Sequence, residues 1–298
     1  MSALASPDLD APGFAVLPGI RDAAQGYDGF LIDQWGVLHD GKRAYDGAVE
    51  ALQRLKAAGK QVIILSNSGR RAAENAALLA DIGFDPSLYQ AFMSAGDDAR
   101  DAIRNADDHA GPGRRCLLLA RDGEEHLAQG IGVDLVKDLA QADFILLLSL
   151  EPAYQSLAGW RELLEQAAAR RLPMICANPD IVRVSHDGTL LEAPGAVARA
   201  YQAMGGEVRY HGKPHGRIYA SCMRLLGLPA NRVAAIGDSL DHDVAGARNS
   251  GLDSIFVAGG IHRHELSWTA GQPERRSCAS LFSANGLTPK FVVPDFRW

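Results

Sequence analysis

Short apolar runs alternate with amphipathic segments along most of the chain. Residues 29–33 and 61–66 are near-continuous apolar runs of strand length, whereas 47–58 and 71–82 repeat their apolar positions every three to four residues, as a helix does. Strand and helix in strict alternation predict parallel strands joined by right-handed crossovers. The rhythm resumes with strands at 208–211, 233–238 and 254–257 and helices at 216–226 and 241–249, which predicts one continuing sheet. The intervening stretch has its own alternation, with apolar runs at 116–120, 144–149 and 174–177 and a helix at 154–171. It carries enough apolar residues for a second core. The expected organisation is therefore an α/β core from 1–94 and 181–298, with a smaller α/β domain inserted at 95–180. The junctions are the Ser94-Ala95-Gly96 turn and Asn178-Pro179-Asp180.

Length and composition agree with this division, because 298 residues at 47% hydrophobic content can fill two cores. Thirty basic and 36 acidic residues give a net charge of −6, and no basic run is present to track a phosphate backbone. No nucleic-acid partner is expected. Residues 1–14 lack the basic flank and apolar stretch of a secretory signal, and the longest apolar run, 144–150, is too short to span a bilayer. The expectation is a cytoplasmic protein with no membrane association. Cys116, Cys176, Cys222 and Cys278 form no CxxC pair, which points to reduced structural thiols.

Four strand candidates end in polar clusters: Leu31-Ile32-Asp33, Ile64-Leu65-Ser66-Asn67-Ser68, His211-Gly212-Lys213-Pro214 and Ala235-Ile236-Gly237-Asp238. Ligands bind beyond the carboxyl ends of strands in a parallel sheet, so these clusters are expected to converge. Together they supply a carboxylate, hydroxyl and amide donors, an ammonium and a second acid, with Asp243 five residues further on. Phosphoryl transfer needs little more than an in-line nucleophile and charge compensation at the phosphoryl oxygens. Asp33 can be that nucleophile, and Asp33 and Asp238 can bind a magnesium ion through oxygen ligands, with Asp243 at the metal site holding a metal-bound water or positioning Lys213. Lys213 neutralises both nucleophile and substrate, while Ser66, Asn67 and Ser68 donate to phosphate oxygens.

These segments, including Asp33-Gln34-Trp35-Gly36-Val37-Leu38-His39-Asp40-Gly41 and Gly237-Asp238-Ser239-Leu240-Asp241-His242-Asp243, resemble the four ordered motifs of haloacid dehalogenase superfamily hydrolases. The insertion between the second and third motifs resembles the class IIA phosphatases, which include sugar-phosphate, nitrophenyl-phosphate and pyridoxal-phosphate phosphatases. The resemblance covers about residues 27–260. It implies a Rossmann-like parallel-sheet core with a cap that screens substrates, a Mg2+ cofactor and a small-molecule phosphate ester as substrate. It leaves open whether the chain forms a homo-oligomer.

One departure matters. Family phosphatases carry a second aspartate two residues after the nucleophile, which protonates the leaving oxygen and later activates water; here that position is Trp35. A backbone carbonyl at Trp35 can still bind the metal, but indole cannot act as an acid or base. Losing that function costs about 10²- to 10⁴-fold in rate unless His39 or Asp40 replaces it. Trp35 therefore keeps two alternatives open: a dehalogenase-like hydrolase in which Asp33 attacks carbon, and a phosphate-binding regulatory protein with little turnover.

Plainer readings stand beside these. Asp33 suits a turn or helix cap, Ser66 to Ser68 a strand-to-helix turn, and Lys213 an exposed lysine. Asp241 fits a helix cap better than a metal site, and Asp243 the reverse. His262 and His264 read as a surface loop, Arg70 and Arg71 as exposed charges at a helix start, and Trp160 as core of the inserted domain.

Overall fold

The computed structural model describes residues 13–105, 113–150, 157–184 and 189–298. By contact density the chain forms two compact units: residues 1–65, 79–91 and 219–298, and residues 66–78 and 92–218.

A seven-stranded sheet has its strands in the order Ala15–Val16, Phe291–Val293, Asp253–Val257, Val233–Gly237, Gly29–Ile32, Gln61–Ser66 and Ala91–Ser94, and its central strands belong to the first unit. The central pairs are parallel, Ile236 opposite Ile32 and Ile32 opposite Ile64. Every residue of Gly29–Ile32 and of Val233–Gly237 is buried, which is why these strands read as unbroken apolar runs rather than alternating ones. The helix Ala48–Ala57 closes the crossover between Gly29–Ile32 and Gln61–Ser66. It buries Ala48, Ala51, Leu52 and Leu55, the i, i+3, i+4, i+7 stripe that identified it.

The second unit carries a five-stranded parallel sheet in the order Val208–Tyr210, Met174–Cys176, Phe144–Leu147, Arg115–Leu119, Asp134–Val136. Alternate residues of the same strands face opposite ways and fill two separate cores. Leu117, Leu119, Ile145, Leu147, Met174 and Cys176 pack with Leu164, Ala167, Val197 and Tyr201 of the helices Leu157–Ala169 and Pro194–Ala203. Cys116, Phe144, Leu146 and Ile175 pack on the other face with Ala99 of the helix Ala95–Arg104.

Three expectations change. The strand expected at 208–211 in the first sheet is Val208–Tyr210 and pairs instead with Met174–Cys176 in the second. Periodicity identifies a strand but not its sheet; here the crossover through Pro194–Ala203 returns the chain beside the strand it left. The second unit accordingly runs wider than the 95–180 insertion expected from the sequence. The single helix expected at 241–249 is a π-helical turn, Leu240–Val244, followed by the α-helix Ala245–Asn249. Of the helix expected at 154–171, residues 154–156 lie outside the described residues, and the rest is Leu157–Ala169.

The four cysteines are buried thiols. Burial pushes Cys116 and Cys176 up to about 12 and Cys278 up to about 11. Among the described residues, no helix is long and apolar enough to cross a membrane.

Candidate active site

Asp33 and Asp238 each stand one residue beyond a central strand. Because those strands are neighbours in parallel register, their carboxyl ends place the two side chains side by side, and the Asp33 N–H donates to Ile236 O at 2.9 Å. The π-helical turn after Asp238 then brings Asp243 back to them. One carboxylate oxygen from each of Asp33, Asp238 and Asp243 lies within 4.8 Å of the others, with Asp33 half-buried and the other two buried.

Backbone groups fix the two buried carboxylates. Asp238 Oδ2 accepts from Ile261 N at 2.8 Å, and Asp243 Oδ2 accepts from Ser239 N at 3.1 Å. Glycines wall them in. A Cβ added at Gly36 would stand 2.0 Å from Asp238 Oδ2, one at Gly260 2.1 Å from the same atom, and one at Gly237 2.0 Å from Asp243 Cγ. Three carboxylates this close repel one another unless a cation lies among them. An all-oxygen donor set fits a hard divalent ion such as magnesium better than a soft metal.

Ser239, not Asp241, caps the helical turn, its Oγ accepting from His242 N at 3.3 Å, and Asp241 is exposed. His262 is half-buried rather than a loose surface residue. Its Nδ1 meets Glu265 Oε1 at 2.6 Å and its Nε2 accepts from Leu240 N at 3.5 Å, while His264 is exposed.

Trp35 is 38% exposed, with its ring edge-on to His39 at 5.1 Å between centroids. Gly41, at φ +94°, gives the indole its room, since a Cβ there would lie 2.2 Å from Trp35 Cη2. His39 Nδ1 accepts from Gly41 N at 2.9 Å, which assigns the ring proton to Nε2. Burial pushes His39 down to about 4, so the ring is neutral at pH 7. Asp40 is engaged in its own turn, accepting from Lys42 N and Arg43 N at 2.9 and 3.0 Å. Burial works to raise its carboxyl, but those N–H groups and the Arg43 guanidinium outweigh it and lower it. Asp40 is therefore ionised at neutral pH and holds no proton to give.

In the second unit, Asn67 and Lys213 come together although 146 residues apart. Lys213 N donates to Asn67 Oδ1 at 2.7 Å, Asn67 Nδ2 donates to Lys213 O at 3.2 Å, and the same Nδ2 donates to Asp180 Oδ1 at 2.8 Å. Asn67 and Lys213 are 3% and 2% exposed, so Lys213 is no surface lysine. Ser66 Oγ accepts from Ser68 N at 3.1 Å and Ser68 Oγ from Arg70 N at 3.2 Å; the two hydroxyls shape the turn that the plainer reading expected. Arg70 Nε reaches Glu124 Oε1 at 3.3 Å and Arg71 Nη2 reaches the carbonyls of His126 and Gln129 at 3.1 and 3.3 Å; both arginines serve their own unit's structure. Trp160 packs against the core as expected.

Two groups escaped sequence reasoning. Asp180 entered only as part of a junction. The Asp98–His211 pair, Oδ2 to Nδ1 at 2.8 Å and nearly fully buried, gave no signal beyond the position of His211 beside Gly212-Lys213.

Comparison with known proteins gives the lineage. Models of haloacid dehalogenase-like hydrolases match residues 30–134 and 86–251, and a HAD-hydrolase-like model matches 210–297. The chain is 27% identical to D-glycerol 3-phosphate phosphatase of Mycobacterium tuberculosis, over 86% of this chain and 70% of that protein. A solved hydrolase of the haloacid dehalogenase-like family from Brucella suis superposes with a TM-score of 0.80 at 29% identity, covering 94% of this chain and 99% of the other. The glycerol phosphate phosphatase of M. tuberculosis, solved in complex with magnesium, superposes with a TM-score of 0.59 at 27% identity over 80% of this chain and 69% of that one. With one model spanning more than half of its length and the neighbouring models extending the match over most of the rest, the chain belongs to the haloacid dehalogenase-like hydrolases.

Proposed function

We propose that the protein is a magnesium-dependent phosphatase of a small phosphorylated metabolite, with Asp33 as covalent nucleophile. The observation that carries this is the group Asp33, Asp238 and Asp243, whose oxygens lie within 4.8 Å of one another. Bound there, with the Trp35 carbonyl as a further ligand, magnesium offsets the charge of nucleophile and phosphate.

Asp33 attacks phosphorus in line, the alcohol or phenol oxygen departs, and the phosphoryl group is carried on the Asp33 carboxylate. Water then attacks that phosphorus, releasing phosphate and restoring the carboxylate. The Ser66 and Ser68 hydroxyls and the Lys213 ammonium are assigned to the phosphoryl oxygens; this requires that both groups act on one phosphate. The phosphatase names of related proteins, glycerol 3-phosphate phosphatase among them, favour such a substrate class.

Trp35 supplies no proton to the departing oxygen. His39, neutral with its proton on Nε2, is too weak an acid to protonate that oxygen, and Asp40 is ionised and engaged. Without an effective acid, substrates with good leaving groups, such as aryl phosphates, turn over fastest. Trp35 also sustains a second reading, a protein that binds phosphate ligands and turns over little. Attack on carbon without a metal is disfavoured, because it gives no use to the cluster of carboxylate oxygens that Asp33, Asp238 and Asp243 bring within 4.8 Å of one another.

The test is phosphate release across sugar, nucleotide, cofactor and polyol phosphates, with and without magnesium, using Asp33→Asn as control. Release that requires both magnesium and Asp33 supports the phosphatase. No release from any ester, with tight trapping of beryllium or aluminium fluoride, supports the binding protein. Full activity on a haloacid in chelator revives attack on carbon.

A further inference from the structure

We infer that Asn67 is a positioning residue for Lys213 rather than a phosphate ligand: its amide, braced by Asp180, clamps the backbone of Lys213 and sets where the ammonium points. The inference rests on the phosphatase reading for its catalytic consequence, but not for the clamp itself.

The three hydrogen bonds decide the role of this amide. Its oxygen accepts from Lys213 N at 2.7 Å, and its nitrogen donates to Lys213 O at 3.2 Å and to Asp180 Oδ1 at 2.8 Å. A side-chain amide has two donor protons, and both are committed here. Nor can the amide be turned over to present donors elsewhere, because flipping it would set Nδ2 against the Lys213 N–H and Oδ1 against the Asp180 carboxylate and the Lys213 carbonyl. At 3% exposure the side chain has no water to exchange these partners for.

The segment leading to Lys213 is held as firmly. Gly212 adopts φ +93° with its Cα so close to Asn67 that an added Cβ would lie 2.5 Å from Oδ1 and 2.6 Å from Ala95 Cβ. One residue earlier, buried His211 is tied through Nδ1 to Asp98 Oδ2 at 2.8 Å, and Asp98 Oδ1 accepts from Arg217 Nε at 3.1 Å. Lys213 therefore enters its position from a fixed strand end, with both of its own backbone groups gripped by one side chain. A long, flexible ammonium placed on a fixed Cα loses far less freedom on meeting its phosphate than one on a loose loop.

The decisive experiment exchanges donor and acceptor within the clamp. Asn67→Asp keeps the oxygen that faces Lys213 N but loses both donors and sets two carboxylates against each other. Adding Asp180→Asn restores one N–H to carboxylate bond and the original net charge. With p-nitrophenyl phosphate and magnesium, Asn67→Asp lowers kcat/KM by about 10²-fold, the size of loss typical of a group misplaced by an ångström. The double variant recovers at least tenfold of it. In a Lys213→Ala background, Asn67→Ala costs less than twofold further. Thermal melts and amide exchange over 211–213 accompany each variant, with faster Lys213 amide exchange expected in Asn67→Ala.

A phosphate ligand behaves oppositely. The carboxylate of Asn67→Asp then repels substrate whatever stands at 180, and Asn67→Ala remains costly without Lys213; either result overturns the inference. If the wild type cleaves no ester, the phosphatase reading fails. The exchange measurement still decides the clamp, which is refuted by an unchanged Lys213 amide in Asn67→Ala.

Discussion

Replacing Gly36 with alanine separates backbone strain from damage to the carboxylate group. Gly36 sits at φ +75°, where a side chain costs about 1–2 kcal/mol, and its added Cβ would stand 2.0 Å from Asp238 Oδ2. Real contacts of this kind do not fall below about 3 Å, so Asp238 must retreat by about 1 Å or the loop must open. Retreat strains the bond that Asp238 Oδ2 accepts from Ile261 N at 2.8 Å. The control is Gly59→Ala, at φ +70° with nothing within 4 Å of the added Cβ, which carries the strain alone. Gly59→Ala should lower Tm by roughly 2–8 °C, at about 2–4 °C per kcal/mol for a chain of this class, and leave magnesium affinity unchanged. Gly36→Ala should lower Tm further and weaken magnesium binding at least tenfold by calorimetric titration, with p-nitrophenyl phosphate hydrolysis falling in step. Equal Tm losses and equal affinities in the two variants would refute the packing argument at Asp238.

Trp35→Asp, which returns a carboxylate to the position where the indole stands, is expected to raise kcat on alkyl phosphates by about 10-fold or more and on aryl phosphates much less; equal changes on both would remove Trp35 as the cause of slow alkyl turnover. Asp143 accepts a forked pair from Arg115, Nε at 3.2 Å and Nη2 at 2.8 Å, and this lowers its carboxyl from the ordinary 3.8 to about 2. A lowered carboxyl contributes in full above pH about 4 and loses its contribution as pH falls towards 2. The wild-type Tm should therefore approach that of Asp143→Asn over this window, and a constant difference would contradict the pairing. The buried thiols, with Cys116 and Cys176 pushed up to about 12, should react with Ellman's reagent only on unfolding; prompt reaction of the native protein at pH 8 would disprove their burial.

The sequence was most legible where burial follows a clear period, complete in a strand or confined to one side of a helix. Gln61–Ser66 and Gly216–Leu226 occupy the residues their patterns predicted, because a fully buried strand and a one-sided helix leave different periods in the chain. The membership of Val208–Tyr210 was not legible, since pairing partners leave no trace in the period of a three-residue strand. The carboxylate group was readable because each of its acids follows a strand or its helical turn, a local position that the sheet then brings together. Asn67 shows the limit. Its residue type fits either a phosphate donor or a clamp, and only the 146-residue bridge to Lys213 and the link to Asp180 reveal how its amide is used. His39 and Asp40 were indistinguishable as substitutes for the missing acid until the turn at Lys42 and Arg43 showed Asp40 engaged.

The central claim is that Asp33 carries the phosphoryl group. Mixing enzyme, magnesium and p-nitrophenyl phosphate, quenching in acid within the first turnover and mapping peptides by mass should find one added phosphoryl group on the peptide containing Asp33, and on none in Asp33→Asn. Phosphate released at the same rate by Asp33→Asn, with Asp33 never labelled in the wild type, would contradict the account.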